Sequence, residues 1–153
     1  MENILLKVID MDIQLSQLKL DDIANLPKNI QKLWMEENYM LFNTLFFNND
    51  LPDLDEIIMT PIKRKNIIFL GCAYNKYPFV IKLNFRYHIV EIEWQNVLLH
   101  EMIHIWQYVN GYKGGHGSSF KNKAKEINNY GWGITTCYKN ILIDLNEFDE
   151  FKD

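Results

Sequence analysis

Hydrophobic positions recur at helical spacing over several stretches of this 153-residue chain and alternate over shorter ones between them. From Pro27, which suits a helix start, Ile30, Leu33, Trp34, Leu41 and Leu45 return on one face as far as the turn-forming run Asn48-Asn49-Asp50, predicting a helix over about 27–48. Short β-branched segments follow at about 56–60, 67–74 and 79–85, separated by the basic Lys63-Arg64-Lys65 turn and by residues 75–78. In the third, Phe79, Ile81 and Leu83 face one side and Lys82 the other, as suits a strand bordering a cleft. The strongest helical signal comes next. Leu98, Met102, Ile105 and Val109 are spaced by four, three and four, and Leu99, Ile103 and Trp106 widen the stripe, so this helix is apolar round most of its circumference and belongs inside the protein. Asn110-Gly111 ends it, because glycine takes the left-handed conformation at no steric cost. Ser118 or Ser119 can cap another helix, on which Phe120, Ala124 and Ile127 share a face. Gly131-Trp132-Gly133 forms a turn, and 134–138 and 141–145 read as short strands or extended segments.

The buried helix also carries His100, Glu101 and His104. Two histidines four apart lie one turn apart on the same face and can reach one metal ion, while the glutamate between them projects about 100° further round. Such groups are costly to desolvate on an apolar helix unless they coordinate a metal or enter a hydrogen-bonded network. The pattern H-E-x-x-H is that of a zinc site in which the metal lowers the pKa of a bound water to about 7 and a neighbouring carboxylate takes its proton.

Two imidazoles do not complete such a site, and the chain offers two candidates for a third ligand, His116 and Glu126. Gly114, Gly115 and Gly117 surround His116 and give its backbone the freedom to bring an imidazole close to the metal. Glu126 lies on the following helix, 22 residues after His104, at a separation from which one group of zinc peptidases supplies a glutamate ligand. The glycine setting favours His116.

Leu98-Leu99-His100-Glu101-Met102-Ile103-His104 followed by Gly115-His116-Gly117-x-x-Phe120 resembles the SprT-like zinc metallopeptidases, the group that includes the Spartan proteases acting on proteins crosslinked to DNA. Leu41-Phe42-Asn43, Phe46-Phe47-Asn48, Leu51-Pro52, Ile81-Lys82-Leu83-Asn84, Ile127-Asn128 and Ile134-Thr135 extend the likeness over about 33–138. The resemblance implies one zinc ion held by His100, His104 and His116, Glu101 as general base, and a protein or peptide substrate. It implies an α+β zincin-like fold in which the helix bearing these residues lies beneath a small sheet. Metzincins are excluded, since Gln107 and Asn110 stand where they need glycine and histidine. The zinc ribbon that other SprT-like proteins carry is missing here. A non-catalytic protein- or nucleic-acid-binding module with a structural zinc is the alternative. His88, Tyr108 and Tyr112 are further polar groups near the motif; either tyrosine could donate to an oxyanion.

At 48% hydrophobic the chain is long enough for one core and too short for two, which suggests a single domain with an N-terminal segment (1–27), a catalytic core (28–143) and an acidic tail (144–153). No apolar run approaches the roughly 18 residues needed to span a membrane. Cys72 and Cys137 are isolated, as expected of buried thiols in a reducing cytoplasm. The net charge of −4 is segregated: residues 1–56 hold 4 lysines against 11 acids, 57–143 hold 11 basic residues against 4 acids, and the last ten hold 5 acids and 1 lysine. A basic catalytic half could face DNA through Lys63-Arg64-Lys65, Lys113, Lys121, Lys123 and Lys125.

Overall fold

The structure, a computed structural model, describes residues 23–54, 56–58, 70–74, 79–85 and 87–137. The basic 63–65 turn, the segment at 141–145 and the acidic tail lie outside them. Helix α1 is Lys28–Phe46, and Pro27 precedes it with its carbonyl accepting from Ile30 and Gln31 N. It stops because Asn48 and Asn49 turn left-handed, at φ 52° and 60°, a conformation that asparagine tolerates better than most residues. Asn43 then pins the outgoing chain with two bonds of 3.1 Å to Leu51, donating to its carbonyl and accepting from its N–H. The buried stripe of α1 differs from the expected one. It comprises Gln31, Trp34, Met35, Glu37, Asn38, Tyr39 and Phe42, whereas Leu45 is 57% exposed. The aromatic rings bury more surface than the leucines. The two amides on this face are satisfied, Gln31 donating to Ile23 O at 2.9 Å and Asn38 donating to Trp34 O and accepting from Gln95.

A small sheet of β1 (Glu56–Ile58), β2 (Gly71–Ala73) and β3 (Val80–Leu83) has the order β1-β3-β2. β1 runs parallel to β3, with Glu56 opposite Val80, and β2 runs antiparallel to it, with Gly71 opposite Leu83. Ile81 and Leu83 are fully buried and Lys82 turns to the other face, its Nζ 5.0 Å over the Tyr74 ring. β3 is nevertheless the central strand, bonded on both edges, with Val80 buried as well, so it is not an edge to which a further strand could add. The edges of the described sheet belong to β1 and β2.

Helix α2, Glu91–Val109, lies against β2 and α1. Glu91 and Glu93 in its first turn complement the positive end of the helix dipole. Trp34 and Trp94 meet the two sides of Phe85 edge-on, at 5.6 and 4.8 Å between ring centres, and tie α1 to α2. At the other end Gly111, at φ 74°, forms a Schellman motif in which Tyr112 N donates to Gln107 O and Gly111 N to Tyr108 O. The chain turns back into α3, Ser118–Asn128, whose Phe120, Ala124 and Ile127 are buried as expected. Gly117 takes the N-cap position without a side-chain bond, so neither Ser118 nor Ser119 caps the helix. Among the described residues no helix is long and apolar enough to cross a membrane.

Gly71 sets the closeness of sheet and helix. A Cβ there would meet Leu83 Cδ2 and the Lys82 carbonyl oxygen at 3.0 Å and Val97 Cγ1 at 3.3 Å, and Val97 lies one turn before Glu101. Gly71→Ala is expected to destabilise the protein by about 1–3 kcal/mol through overpacking. Urea unfolding checks this, and an unchanged midpoint would show that β2 can move away freely.

Candidate metal centre

The tight packing of α2 leaves His100, Glu101 and His104 at 4%, 3% and 9% exposure. His116 reaches them from the exposed loop after α2, where Gly115 at φ 98° makes the turn that a side chain would resist. The three imidazoles converge. Their ligating atoms all lie within 4.8 Å of one another, with His100 Nε2 3.3 Å from His104 Nε2 and 3.1 Å from His116 Nε2. The ring of buried Phe120 touches all three, at 4.7, 5.0 and 4.8 Å between centres, and forms an apolar floor.

The bonds at the far sides of the rings decide what the near sides can do. His100 Nδ1 lies 2.7 Å from the Thr135 carbonyl, which can only accept, so Nδ1 carries the proton and Nε2 keeps a lone pair. His104 Nδ1 lies 2.8 Å from Gln107 Oε1. That amide donates through Nε2 to Gly115 O and Ser119 Oγ, so its oxygen is the acceptor and His104 also presents a bare Nε2. Two lone pairs 3.3 Å apart repel each other unless a cation lies between them. Nitrogens bound tetrahedrally at the 2.0–2.1 Å of zinc would sit about 3.3–3.4 Å apart, so the donor set fits such an ion.

The electrostatics agree. Burial pushes His100 down to about 3, aided by its two histidine neighbours and opposed by the Thr135 carbonyl. Burial also lowers His104, against the bond to Gln107, and the partial burial of its ring lowers His116, which is otherwise exposed. Near neutral pH all three are therefore neutral, the form that binds metals. On the Glu101 side of the helix, Tyr108 packs parallel to His104, 6.4 Å away and tilted by 19°. Burial first, and then electrostatic interaction with Glu101 and with Cys72 of β2, raise the Tyr108 hydroxyl.

The other candidates separate. Glu126 is exposed on α3 and pairs with Lys123 at 3.3 Å, away from the imidazole cluster. Tyr112 leans on Trp106, 5.1 Å away. Lys123 lies over Phe47 and Trp106, while Lys113, Lys121 and Lys125 are exposed. Cys137 is exposed and Cys72 half-buried, so neither is the fully buried thiol expected. Residues 134–137 contain no strand; they are irregular because Asn128 grips Ile134 by both backbone groups, at 2.8 and 3.0 Å, and Asn96 accepts from Gly133 N. These clamps set the Thr135 carbonyl against His100. Neither this carbonyl nor Gln107 was legible as a partner of the imidazoles from the motif alone; Gln107, at i+3 from His104, was the one findable signal.

In the metal-free protein, histidines lowered from their ordinary value near 6.5 bind protons more weakly folded than unfolded. Their effect on stability is flat above about pH 7, and stability falls as pH drops below 6.5, by up to about 1.4 kcal/mol per pH unit for a buried histidine such as His100 and by much less for exposed His116. The loss continues toward pH 3 for His100. Urea midpoints measured in chelator between pH 7.5 and 5 should show this decline, and His100→Gln should reduce its slope.

No curated protein and no solved structure matches the chain. The model of the SprT-like family matches residues 35–142, a span that contains α1 from its second turn, the sheet, α2, the His116 loop and α3. On that match, over more than half of its length and across the whole imidazole cluster, the chain belongs to the SprT-like family.

Proposed function

We propose that this protein is a zinc-dependent metallopeptidase that holds one zinc ion through His100, His104 and His116 and uses Glu101 as general base. The observation that carries the reading is the convergence of imidazole nitrogens, two of them fixed as bare Nε2 by carbonyl acceptors behind them, beside a buried carboxylate. Membership of a metallopeptidase-like family supports it. Bound there, zinc would polarise the scissile carbonyl and lower the pKa of a water. Glu101 then takes the proton of the attacking water and passes it to the leaving amine. Its burial beside apolar neighbours keeps bulk water from competing for that proton. Tyr108, on the Glu101 side and parallel to His104, is the donor we assign to the oxyanion; Tyr112 faces Trp106 instead.

β2 supports an extended substrate. It is an edge of the described sheet, lies against α2, and carries Cys72 into the neighbourhood of Glu101 and Tyr108. A peptide adding a strand along it would pass the site. Exposed Lys113, Lys121 and Lys125 on the His116 loop and α3 favour substrates that arrive on DNA, which single-stranded DNA in the assay would test.

Glu101→Gln is expected to lower peptide hydrolysis by at least about 10²–10⁴-fold while the chain keeps one equivalent of zinc. No hydrolysis by the wild type, with biological activity indistinguishable between it and Glu101→Gln, would point to a structural zinc in a binding module. Zinc content should fall in His116→Ala and stay at the wild-type level in Glu126→Ala; the reverse would exchange the third ligand. Tyr108→Phe should lower kcat about 10²–10³-fold with little change in KM, and a loss confined to KM would make Tyr108 a substrate contact.

A further inference from the structure

Residues 111–118 are exposed throughout, so apart from the ring contacts of Tyr112 with Trp106 and of His116 with Phe120 little apolar surface fixes the loop that carries His116, and polar anchors add to these contacts. Gln107 supplies them at three points. Its backbone carbonyl accepts from Tyr112 N at 2.8 Å, and its Nε2 donates to Gly115 O at 3.1 Å and to Ser119 Oγ at 2.9 Å. The same carboxamide accepts from His104 Nδ1 at 2.8 Å, and the residue is 0% exposed. One amide therefore joins an imidazole of the helix to the residue immediately before the imidazole of the loop. Resting on the zinc reading above, we propose that Gln107 is a positioning residue that couples the two ligands: it sets the tautomer of His104 and, through Gly115, keeps His116 in ligating range.

The proposal requires a group that both accepts and donates. A carboxylate at 107 would still accept from His104, but would face the Gly115 carbonyl with no proton to give. Methionine has a similar length and does neither well. The loop should be released in both variants, whereas His104 should lose its acceptor only in Gln107→Met.

Zinc affinity, measured by competition with a chromophoric chelator, is compared for wild type, Gln107→Glu, Gln107→Met, His116→Ala and the two double variants. Gln107→Glu is expected to weaken zinc binding about 10–100-fold in the wild-type background, as loss of an outer partner does, and not to weaken it in His116→Ala, where the loop has nothing left to position. Gln107→Met should weaken binding in both backgrounds, and more in wild type. Equal losses in the two backgrounds for both variants would overturn the coupling and leave Gln107 a support of the fold alone. Hydrogen exchange of residues 111–117 in the metal-free proteins is the second readout. It should be faster in both variants, and unchanged exchange also overturns the proposal. Failure of the wild type to bind zinc would sink the metallopeptidase reading instead, and the exchange experiment would still decide whether Gln107 holds the loop.

Discussion

A helix buried on nearly every side can hold two histidines, a glutamate and a glutamine only if their polar atoms find partners, since each buried group left without one costs about 1–3 kcal/mol. Much of the surrounding chain is arranged to meet that demand on α2. Thr135 and Gln107 take the outward protons of the two helical imidazoles, and Gly115 and Ser119 take the protons of Gln107. What remains is a set of nitrogens that face one another, an arrangement whose mutual repulsion a cation would relieve. Satisfying the helix and building the metal site are the same task.

The partners are held at some distance from the site. Asn96 on α2 and Asn128 at the end of α3 grip the loop that presents the Thr135 carbonyl. Within that loop Trp132 packs edge-on against Phe42 and Phe46 of α1, with ring centres 5.1 and 6.4 Å apart. α1 therefore reaches His100 through Trp132 and Thr135, although it offers no ligand itself. On the other flank, the absence of a side chain at Gly71 lets β2 lie close against Val97 of α2. The two flanks have different roles: one orients the imidazoles and the other packs the sheet against the helix that carries them.

Phe120 shows how an apolar residue serves a polar site. Its sequence neighbours mark it as one position on the buried face of α3, with Ala124 and Ile127. In the fold its ring lies against three imidazoles at once, which keeps them neutral by excluding water and limits how far each can rotate. A single ring on a separate helix thus defines the floor on which residues from α2 and the following loop meet.

The sequence by itself determined the identity and order of the residues that converge at the site. Spacing of four put His100 and His104 on one face, the apolar stripe put that face inside, and Asn110-Gly111 with the glycines around His116 turned the chain back. These signals are local, set by helical period and by the conformational freedom of glycine, so a linear reading recovers them. Only the tertiary structure brought His116 rather than Glu126 to the two helical imidazoles, placed β3 at the centre of the sheet, and turned the stripe of α1 from Leu41 and Leu45 toward Tyr39 and Phe42. It also chose the Thr135 carbonyl, 35 residues away, as the partner of His100. A backbone carbonyl has no side-chain signature, and strand order and the choice of partner depend on which surfaces meet when the core closes, so neither is written in any short stretch of the chain.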